Sequence, residues 1–347
     1  MPLEPLEWFA TRNKSRKEKP MIWTRRRAMI GMSGGLIGVA APQAWAQAAY
    51  PSRNIKMIVP YPAGGTTDLL GRLVADRIKS GLNAVVVVEN KPGAATTLGA
   101  EQVARSEPDG YTIMIATSTT LAINKSLYKK LPYDPVKDFA PISLVAAVPF
   151  CLIVNPSVPA RTLAEFIAYA KANPGLAYGS AGNGSPHHLG AEMLRTEAGI
   201  DIRHVPYRGS VPAMLDVIAG HIPFMVVDLQ PALQQIKEGK VRALGVTTSK
   251  RVAAAPEIPT IAEGGLPHYE LVAWQGIVAP AGTPRPIVDA LAAQIAKLLS
   301  DPETKGKLTT LALEILPGST PDSFAAFIKS EVDRWADIVK KSGAELE

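Results

Sequence analysis

The amino-acid sequence predicts an α/β fold in which largely parallel strands are flanked by helices. Short runs rich in β-branched residues alternate along the chain with longer segments of helical period, a pattern typical of parallel sheets covered by helices. The length of 347 residues suggests two domains of about 100–200 residues each. A hydrophobic content of 47% is that of a globular chain in which each domain buries its own core.

The individual elements follow from local periodicity and apolar runs. Short apolar runs predict buried strands at residues 55–59, 84–88, 111–116, 224–227 and 241–246. Helical spacing of apolar residues predicts helices at 66–79, 98–105, 163–172, 211–219 and 286–299, and a last helix with apolar residues from Phe324 to Val339. Two further runs, 142–154 and 271–278, exceed the usual strand length of about 5–6 residues. The pattern alone leaves open whether these are central strands of one core or strands that cross between two lobes.

The N-terminal segment has the pattern of an export signal. A basic run at 25–27 precedes an uncharged, weakly apolar stretch at 28–41, and an A-x-A site at 44–46 predicts cleavage after Ala46. A membrane anchor would need about 20 apolar residues, and this stretch is shorter. The paired arginines suit a twin-arginine signal or a Sec signal. Residues 1–20 precede a second methionine, so they could lie upstream of the true start. We therefore expect a periplasmic protein.

The positive net charge is concentrated in this leader. The whole chain carries 37 Lys and Arg against 31 Asp and Glu, but eight of those bases and three of those acids lie in residues 1–46. The remaining chain carries 29 bases against 28 acids, which lacks the basic surface that nucleic-acid binding requires. No later apolar stretch is long enough to span a bilayer, so we expect a protein that is neither membrane-embedded nor bound to nucleic acid.

The sequence lacks the patterns that would predict a metal site, a cofactor site or a disulfide. Cys151 is the single cysteine and lies in an apolar run, where an inert buried thiol is expected. His187 and His188 are adjacent, so their side chains point in different directions, and the H-E-x-x-H pattern is absent. The nucleotide motifs G-x-x-x-x-G-K-[ST] and G-x-G-x-x-G are also absent. We predict no metal, no cofactor and no catalytic residues.

Small polar residues gather at the expected ends of strands, just before helices. In parallel α/β sheets, ligands bind beyond the carboxyl ends of the strands, where helix N-termini present free N–H groups that suit an anion. The clusters are 61–68 (YPAGGTTD), 117–120 (TSTT), 180–185 (SAGNGS) and 207–210 (YRGS).

Several members of these clusters also have purely structural interpretations. Asp68 could contact a ligand, or it could pair with Arg72 one helical turn later. Arg208 could hold a carboxylate with two hydrogen bonds, although loop arginines are commonly solvated. Asp228 ends an apolar strand and could either accept a ligand group or cap the following turn.

Taken in chain order, the motifs resemble a known family, the periplasmic substrate-binding receptors of tripartite tricarboxylate transporters, often called Bug proteins. The resemblance begins near Tyr50 and runs to the C-terminus. It is carried by VPYPAGGTTD at 59–68, NKPG at 90–93, PDGYT at 108–112, GSAGNGS with His188-Leu189 at 179–189, VPYRG at 205–209, PEIPT and AEG at 256–264, WQG at 274–276 and APAGTP at 279–284.

The resemblance implies a two-lobed periplasmic binding protein of type II-like fold, with two parallel or mixed sheets, a two-strand hinge and a ligand cleft between the lobes. Lobe 1 would comprise 47–150 and 276–347, and lobe 2 would comprise 151–275. Many members have a second proline where this chain has Ala63, which loosens the first loop slightly and leaves its glycines in place. Ligand contacts are predicted at Tyr61, Ala63, Gly64, Gly65, Thr66, Asp68, Thr117, Ser118, Thr119, Ser180, Ala181, Gly182, Asn183, Gly184, Ser185, His188, Tyr207, Arg208, Gly209 and Asp228.

The resemblance also implies a function. A monomeric, non-enzymatic receptor would capture a small carboxylate, such as a di- or tricarboxylate, an amino acid or an aromatic acid, and deliver it to polytopic membrane subunits of the transporter. Two alternatives remain at this point. One is a periplasmic hydrolase that uses Ser185 and His188, and the other is a ligand sensor for a membrane signalling partner.

Overall fold

The computed structural model describes residues 50–316 and 318–342. The predicted export signal and its cleavage site after Ala46 lie outside the described residues. Within the described part of the chain, no helix combines the length and the apolar character that crossing a membrane requires.

The described chain contains ten strands and ten α-helices, with a π-helical turn at Thr119–Ile123 before α3. The strands are β1 (Ile55–Val59), β2 (Val86–Asn90), β3 (Thr112–Thr117), β4 (Phe139–Val154), β5 (Leu176–Ser180), β6 (Ile202–Pro206), β7 (Phe224–Asp228), β8 (Arg242–Val246), β9 (Val272–Pro280) and β10 (Glu314–Ile315). The helices are α1 (Thr66–Leu82), α2 (Thr97–Ala104), α3 (Asn124–Leu127), α4 (Leu163–Ala172), α5 (Pro186–Ala198), α6 (Ser210–Ala219), α7 (Leu229–Lys237), α8 (Arg285–Ser300), α9 (Pro302–Thr310) and α10 (Pro321–Ser342).

The strands form one continuous mixed sheet with the order β2-β1-β3-β9-β4-β7-β5-β6, and β8 and β10 also pair with β4. Strands β1, β2 and β3 are parallel, and so are β5, β6 and β7. Strands β4 and β9 run antiparallel to their neighbours. The two sheets predicted from the sequence are thus present as two halves that share β4.

Strand β4 is the element that joins the two halves. Residues Phe139–Pro149 pair with β9, whereas residues Phe150–Val154 pair with β7. This strand is buried along nearly all of its 16 residues, as its largely apolar sequence indicates. This answers the question left open by the long run at 142–154, since the strand crosses from one half of the sheet to the other.

The buried core does not divide in the same way. The larger apolar cluster joins the β1–β3, β9 half and the helices α1, α8 and α10 to residues of α4, α5 and β5, and a second cluster lies between β7, β8, α6 and α7. Cys151 belongs to the second cluster and is fully buried, and burial raises the pKa of its thiol. The cysteine is therefore an inert core residue.

The C-terminal helix α10 ties strand β9 into the first half. Its buried Glu331 accepts hydrogen bonds from the indole N–H groups of Trp274, at 2.6 Å, and Trp335, at 3.0 Å. A carboxylate with two such donors is a strong acceptor, which suits its burial. Helix α10 therefore fixes the position of Trp274 on the strand that leads into the candidate site.

Candidate functional site

A cavity of about 140 Å³ lies where the carboxyl ends of β1, β3 and β7 meet the N-termini of three helices. The first residues of α1 (Thr66, Thr67), of α5 (Pro186, His187) and of α6 (Ser210, Val211, Pro212) all line it. Each helix N-terminus presents unpaired backbone N–H groups and about half a positive charge. Three such helix ends converge on the cavity, whose described lining includes no Lys or Arg and one carboxylate, that of Asp228.

Ten of the residues predicted from the sequence line this cavity. They are Tyr61, Ala63, Gly65, Thr66, Thr117, Ser118, Thr119, Ala181, Gly209 and Asp228. The Tyr61 hydroxyl donates to Thr119 Oγ1 at 3.3 Å, and burial raises the pKa of this phenol. Tyr61 is therefore a neutral hydrogen-bonding group at the cavity wall.

The other ten predicted residues do not line the cavity. Several shape the two loops around it instead of reaching the ligand space. The ten are Gly64, Asp68, Ser180, Gly182, Asn183, Gly184, Ser185, His188, Tyr207 and Arg208.

Asp68 organises the first loop. It accepts hydrogen bonds from the Gly64 N–H at 3.1 Å, from Asn90 Nδ2 at 2.9 Å and from Arg72 Nε at 3.0 Å. Asn90 also donates to the carbonyl of Tyr61 at 2.9 Å. Burial alone would raise the pKa of Asp68, but these donors lower it below its ordinary value. The structure thus favours the helix-pairing interpretation of Asp68, which holds loop 61–65 in place.

Ser185 and His188 hold the second loop. The Ser185 hydroxyl donates to the carbonyl of Gly182 at 2.6 Å and accepts from the backbone N–H of His188 at 3.4 Å, which caps α5. The His188 ring accepts from the Gly184 N–H at 3.2 Å and stacks on His204 with a centroid distance of 4.1 Å. The serine hydroxyl and the histidine ring are both committed to backbone groups, so they do not form a nucleophile–base pair.

The third predicted loop, 207–210, is held in place by a hydrogen bond of Tyr207. The Tyr207 hydroxyl donates to Asp216 Oδ2 at 2.6 Å, and burial with this carboxylate raises the pKa of Tyr207 to about 12. Arg208 is exposed and makes no hydrogen bond or ion pair with the described residues. Of this segment, Gly209 and Ser210 reach the cavity.

The sequence predicted Asp228 as a ligand contact but not His187, its neighbour in the cavity. His187 places Nε2 2.7 Å from Asp228 Oδ1, and its ring meets Phe150 edge-on at 4.9 Å. Asp228 Oδ2 accepts from the Thr66 hydroxyl at 2.7 Å. Burial alone would raise the pKa of Asp228, but the His187 ring and the Thr66 hydroxyl lower it below its ordinary value. Asp228 is therefore an anion that His187 faces directly.

The apolar part of the wall was also missed. Val148 and Phe150 come from β4, and Ala273 and Trp274 come from β9, with Gln275 as a polar neighbour. From the sequence alone, these residues are predicted to lie in ordinary core strands. Their position beside the glycine loops becomes evident only from the pairing of β4 with β9.

The two halves touch across the cavity. The bond from Thr66 to Asp228 joins the start of α1 to the end of β7. A Cβ atom on Gly209 would lie 3.4 Å from the Pro62 ring, and Gly209 has a φ of +123°, a conformation that other residues rarely adopt. The structure is thus a closed arrangement in which the loop before α1 meets the loop before α6.

Comparison with known proteins gives a consistent result. The sequence model of the tripartite tricarboxylate transporter family receptor matches residues 70–344. Protein BugT of Bordetella pertussis is 36% identical over 330 residues, which cover 94% of this chain and 100% of BugT.

Solved structures agree with these sequence matches. Rpa4515 of R. palustris, solved with adipate, is 36% identical with a TM-score of 0.83, and the match covers 86% of this chain and 100% of that one. MatC (Rpa3494) of Rhodopseudomonas palustris, solved with bound malate, is 32% identical with a TM-score of 0.80, covering 84% of this chain and 100% of that one. The fold is thus that of two-lobed periplasmic binding proteins, and the chain belongs to the receptor family of the tripartite tricarboxylate transporters.

Proposed function

We propose that this protein is an exported receptor that binds a small carboxylate in the cavity between its lobes and delivers it to the membrane subunits of a transporter. The observation that carries the proposal is the convergence of the N-termini of α1, α5 and α6 on one cavity. Backbone N–H groups at helix N-termini are a recurrent site for carboxylate and phosphate groups. The relatives with adipate and malate support a carboxylate.

The carboxylate would be held by neutral groups. No Lys or Arg is among the described residues that line the cavity, so the grip would come from N–H groups of the loops at Gly65 and Gly209 and from hydroxyls such as those of Tyr61 and Thr119. The cavity volume of about 140 Å³ lies below the roughly 300–1,000 Å³ of drug-sized sites. A compact acid of few carbon atoms is the ligand that such a cavity suits.

Closure would couple binding to transport. With lobe 1 at 47–150 and 276–347 and lobe 2 at 151–275, strands β4 and β9 would flex as the hinge. A ligand that contacts both lobes is bound more tightly by the closed state, and so shifts the population toward it. The membrane subunits would then recognise the closed surface. Neither the ligand nor the protein undergoes covalent change in this scheme, and cleavage after Ala46 would release the receptor into the periplasm.

Ligand-induced stabilisation tests the proposal. Purified residues 47–347, stripped of bound ligand by unfolding and refolding, would be screened against mono-, di- and tricarboxylates by thermal unfolding and calorimetry. A ligand at 100 times its Kd adds about 2.7 kcal/mol to the free energy of unfolding, which raises Tm by roughly 5 °C in a chain of this size. Absence of any shift across the acids would contradict a carboxylate receptor.

The variant Gly65→Val tests where the carboxylate sits. Gly65 precedes α1 with an extended backbone, and a Cβ there has space, with Ser210 Oγ the nearest atom at 4.0 Å. The fold should therefore survive, while the branched side chain blocks the approach of a ligand to the loop. We expect Kd to rise at least about 100-fold, equivalent to about 2.8 kcal/mol.

The matched control is Gly306→Val, at an exposed helical glycine with open space around it. It should leave the affinity unchanged. Unaltered affinity in Gly65→Val would move the site away from this loop.

A further inference from the structure

Three buried polar side chains in the cavity have an atom without a partner among the described residues. They are Ser118, which is fully buried, and His187 and Gln275, each 5% exposed. The atoms are Ser118 Oγ, Gln275 Oε1 and both ring nitrogens of His187, of which Nε2 lies 2.7 Å from Asp228 Oδ1. A buried polar atom without a hydrogen bond costs about 1–3 kcal/mol, so three such side chains in one small cavity indicate groups that a ligand can pair with.

These three side chains come from different elements that line the same cavity. Gln275 is the register partner of Thr117, the residue before Ser118, so Ser118 and Gln275 belong to the β3–β9 part of the lining. His187 is at the start of α5, and its ring packs on Phe150, whose register partner is Asp228. A ligand in the cavity is therefore lined by a hydroxyl, an amide and an imidazole.

The partners already present restrict what the ligand can offer. The Gln275 amide donates to Thr67 Oγ1 at 2.9 Å, which leaves its Oε1 without a partner. Asp228 already has His187 Nε2 2.7 Å from Oδ1 and the Thr66 hydroxyl 2.7 Å from Oδ2, so a ligand ammonium group would have to share the carboxylate with both. A hydroxyl group both donates and accepts, and so can satisfy an amide end, a serine hydroxyl and an imidazole nitrogen alike.

We infer that the ligand is a hydroxycarboxylic acid, whose hydroxyl group is read by Ser118, Gln275 and His187. The inference rests on the proposed function, because the carboxylate of the same ligand occupies the helix N-termini. A site built to hydrogen-bond a hydroxyl group discriminates strongly against the analogue that lacks it, since its own polar groups are then left unpaired.

Calorimetry with matched ligands tests this inference. The sets are propionate, lactate and alanine; butyrate, 3-hydroxybutyrate and 3-aminobutyrate; and succinate, malate and aspartate. In the sets that bind, the hydroxy acid should bind about tenfold or more tightly than both of its analogues. Equal or tighter binding of the unsubstituted or amino acids overturns the inference and leaves the carboxylate receptor standing. Silence across all nine acids and across the wider carboxylate screen overturns both.

The variant Ser118→Ala separates a ligand contact from a structural role. Removal of a buried hydroxyl that has no partner should leave the Tm of the ligand-free protein unchanged or slightly higher, while the preference for the hydroxy acid falls about fivefold or more. The matched control is Ser143→Ala, where the equally buried hydroxyl donates to the carbonyl of Leu144 at 3.0 Å, away from the cavity. Ser143→Ala should lower Tm and keep the preference. The reverse pattern in Ser118→Ala, a lower Tm with an unchanged preference, would overturn the inference.

Discussion

At the scale of single residues, two adjacent histidines have different tasks. His187 faces the cavity, whereas His188 is buried in a stack with Tyr178 and His204 beneath the loop at 180–185. His204 Nε2 lies 2.6 Å from the hydroxyl of Ser180, which accepts from the Gly182 N–H at 3.0 Å. The stack therefore supports the loop at 180–185 through the contact between His204 and Ser180.

The stack makes stability depend on pH. Burial lowers the pKa of His188 to about 4, and burial together with His188 lowers that of His204 to about 3. The unfolded chain, with histidine pKa values near 6.5, therefore binds more protons than the folded chain as pH falls. The free energy of unfolding should decrease below about pH 6.5, by up to about 1.4 kcal/mol per pH unit for each histidine, until the folded-state pKa is reached.

Denaturant unfolding of wild type and His204→Gln between pH 7.5 and 5 measures how the free energy of unfolding depends on pH. The variant should show a shallower loss of stability toward acid pH. Ser143→Ala serves as the control, since it removes a buried hydrogen bond but no ionisable group, and it should leave the slope unchanged. Equal slopes in wild type and His204→Gln would contradict a neutral buried stack.

At the scale of elements, local sequence signals were sufficient for several strongly apolar strands and amphipathic helices, but they did not predict the 13-residue helix α5. Strand β1 and helix α4 occupy the predicted residues, and β4 begins three residues earlier than the predicted run. Strands β5 and β6 were not predicted individually, because they are short and contain glycine, arginine or histidine in place of an apolar run. Likewise the cavity position of His187 depends on the direction of one helical turn, which the spacing of residues leaves undetermined.

The turn that precedes α2 contains a strained backbone. Ala94, Ala95 and Thr96 have φ values of 46°, 48° and 74°, in the left-handed region that costs a non-glycine residue about 1–2 kcal/mol. Ala94 is exposed, so its methyl group contributes little packing. Ala94→Gly should stabilise the protein by about 0.5–1 kcal/mol, once the greater backbone entropy of glycine is subtracted.

Chemical denaturation tests this prediction alongside a control variant that should be less stable than wild type. Ala168 is exposed within α4, where glycine costs about 1 kcal/mol relative to alanine. Ala168→Gly should therefore destabilise the protein. A loss of stability in both variants would show that the turn stores no relievable strain.

At the scale of the whole molecule, the hydroxyl of Thr66 joins the two proposed lobes at the cavity. The Thr66 hydroxyl, at the start of α1, donates to Asp228 Oδ2 at the end of β7, and both residues are buried. Hydrogen bonds to charged groups contribute about 1.5–3 kcal/mol. Since the bond exists only when the halves meet, it favours closure before any ligand contributes.

Thr66→Val keeps the shape of the side chain and removes this bond. The open state should gain population, and the apparent Kd for a carboxylate ligand should rise about tenfold or more, because binding then has to supply the energy of closure. Small-angle scattering of the ligand-free variant should give a larger radius of gyration than wild type, with the difference disappearing at saturating ligand. Thr120→Val is the control, since Thr120 bonds to Thr96 within one half of the molecule, and its loss should alter stability alone. An unchanged radius and an unchanged Kd in Thr66→Val would show that closure is set by the ligand and the hinge strands, with no contribution from this bond.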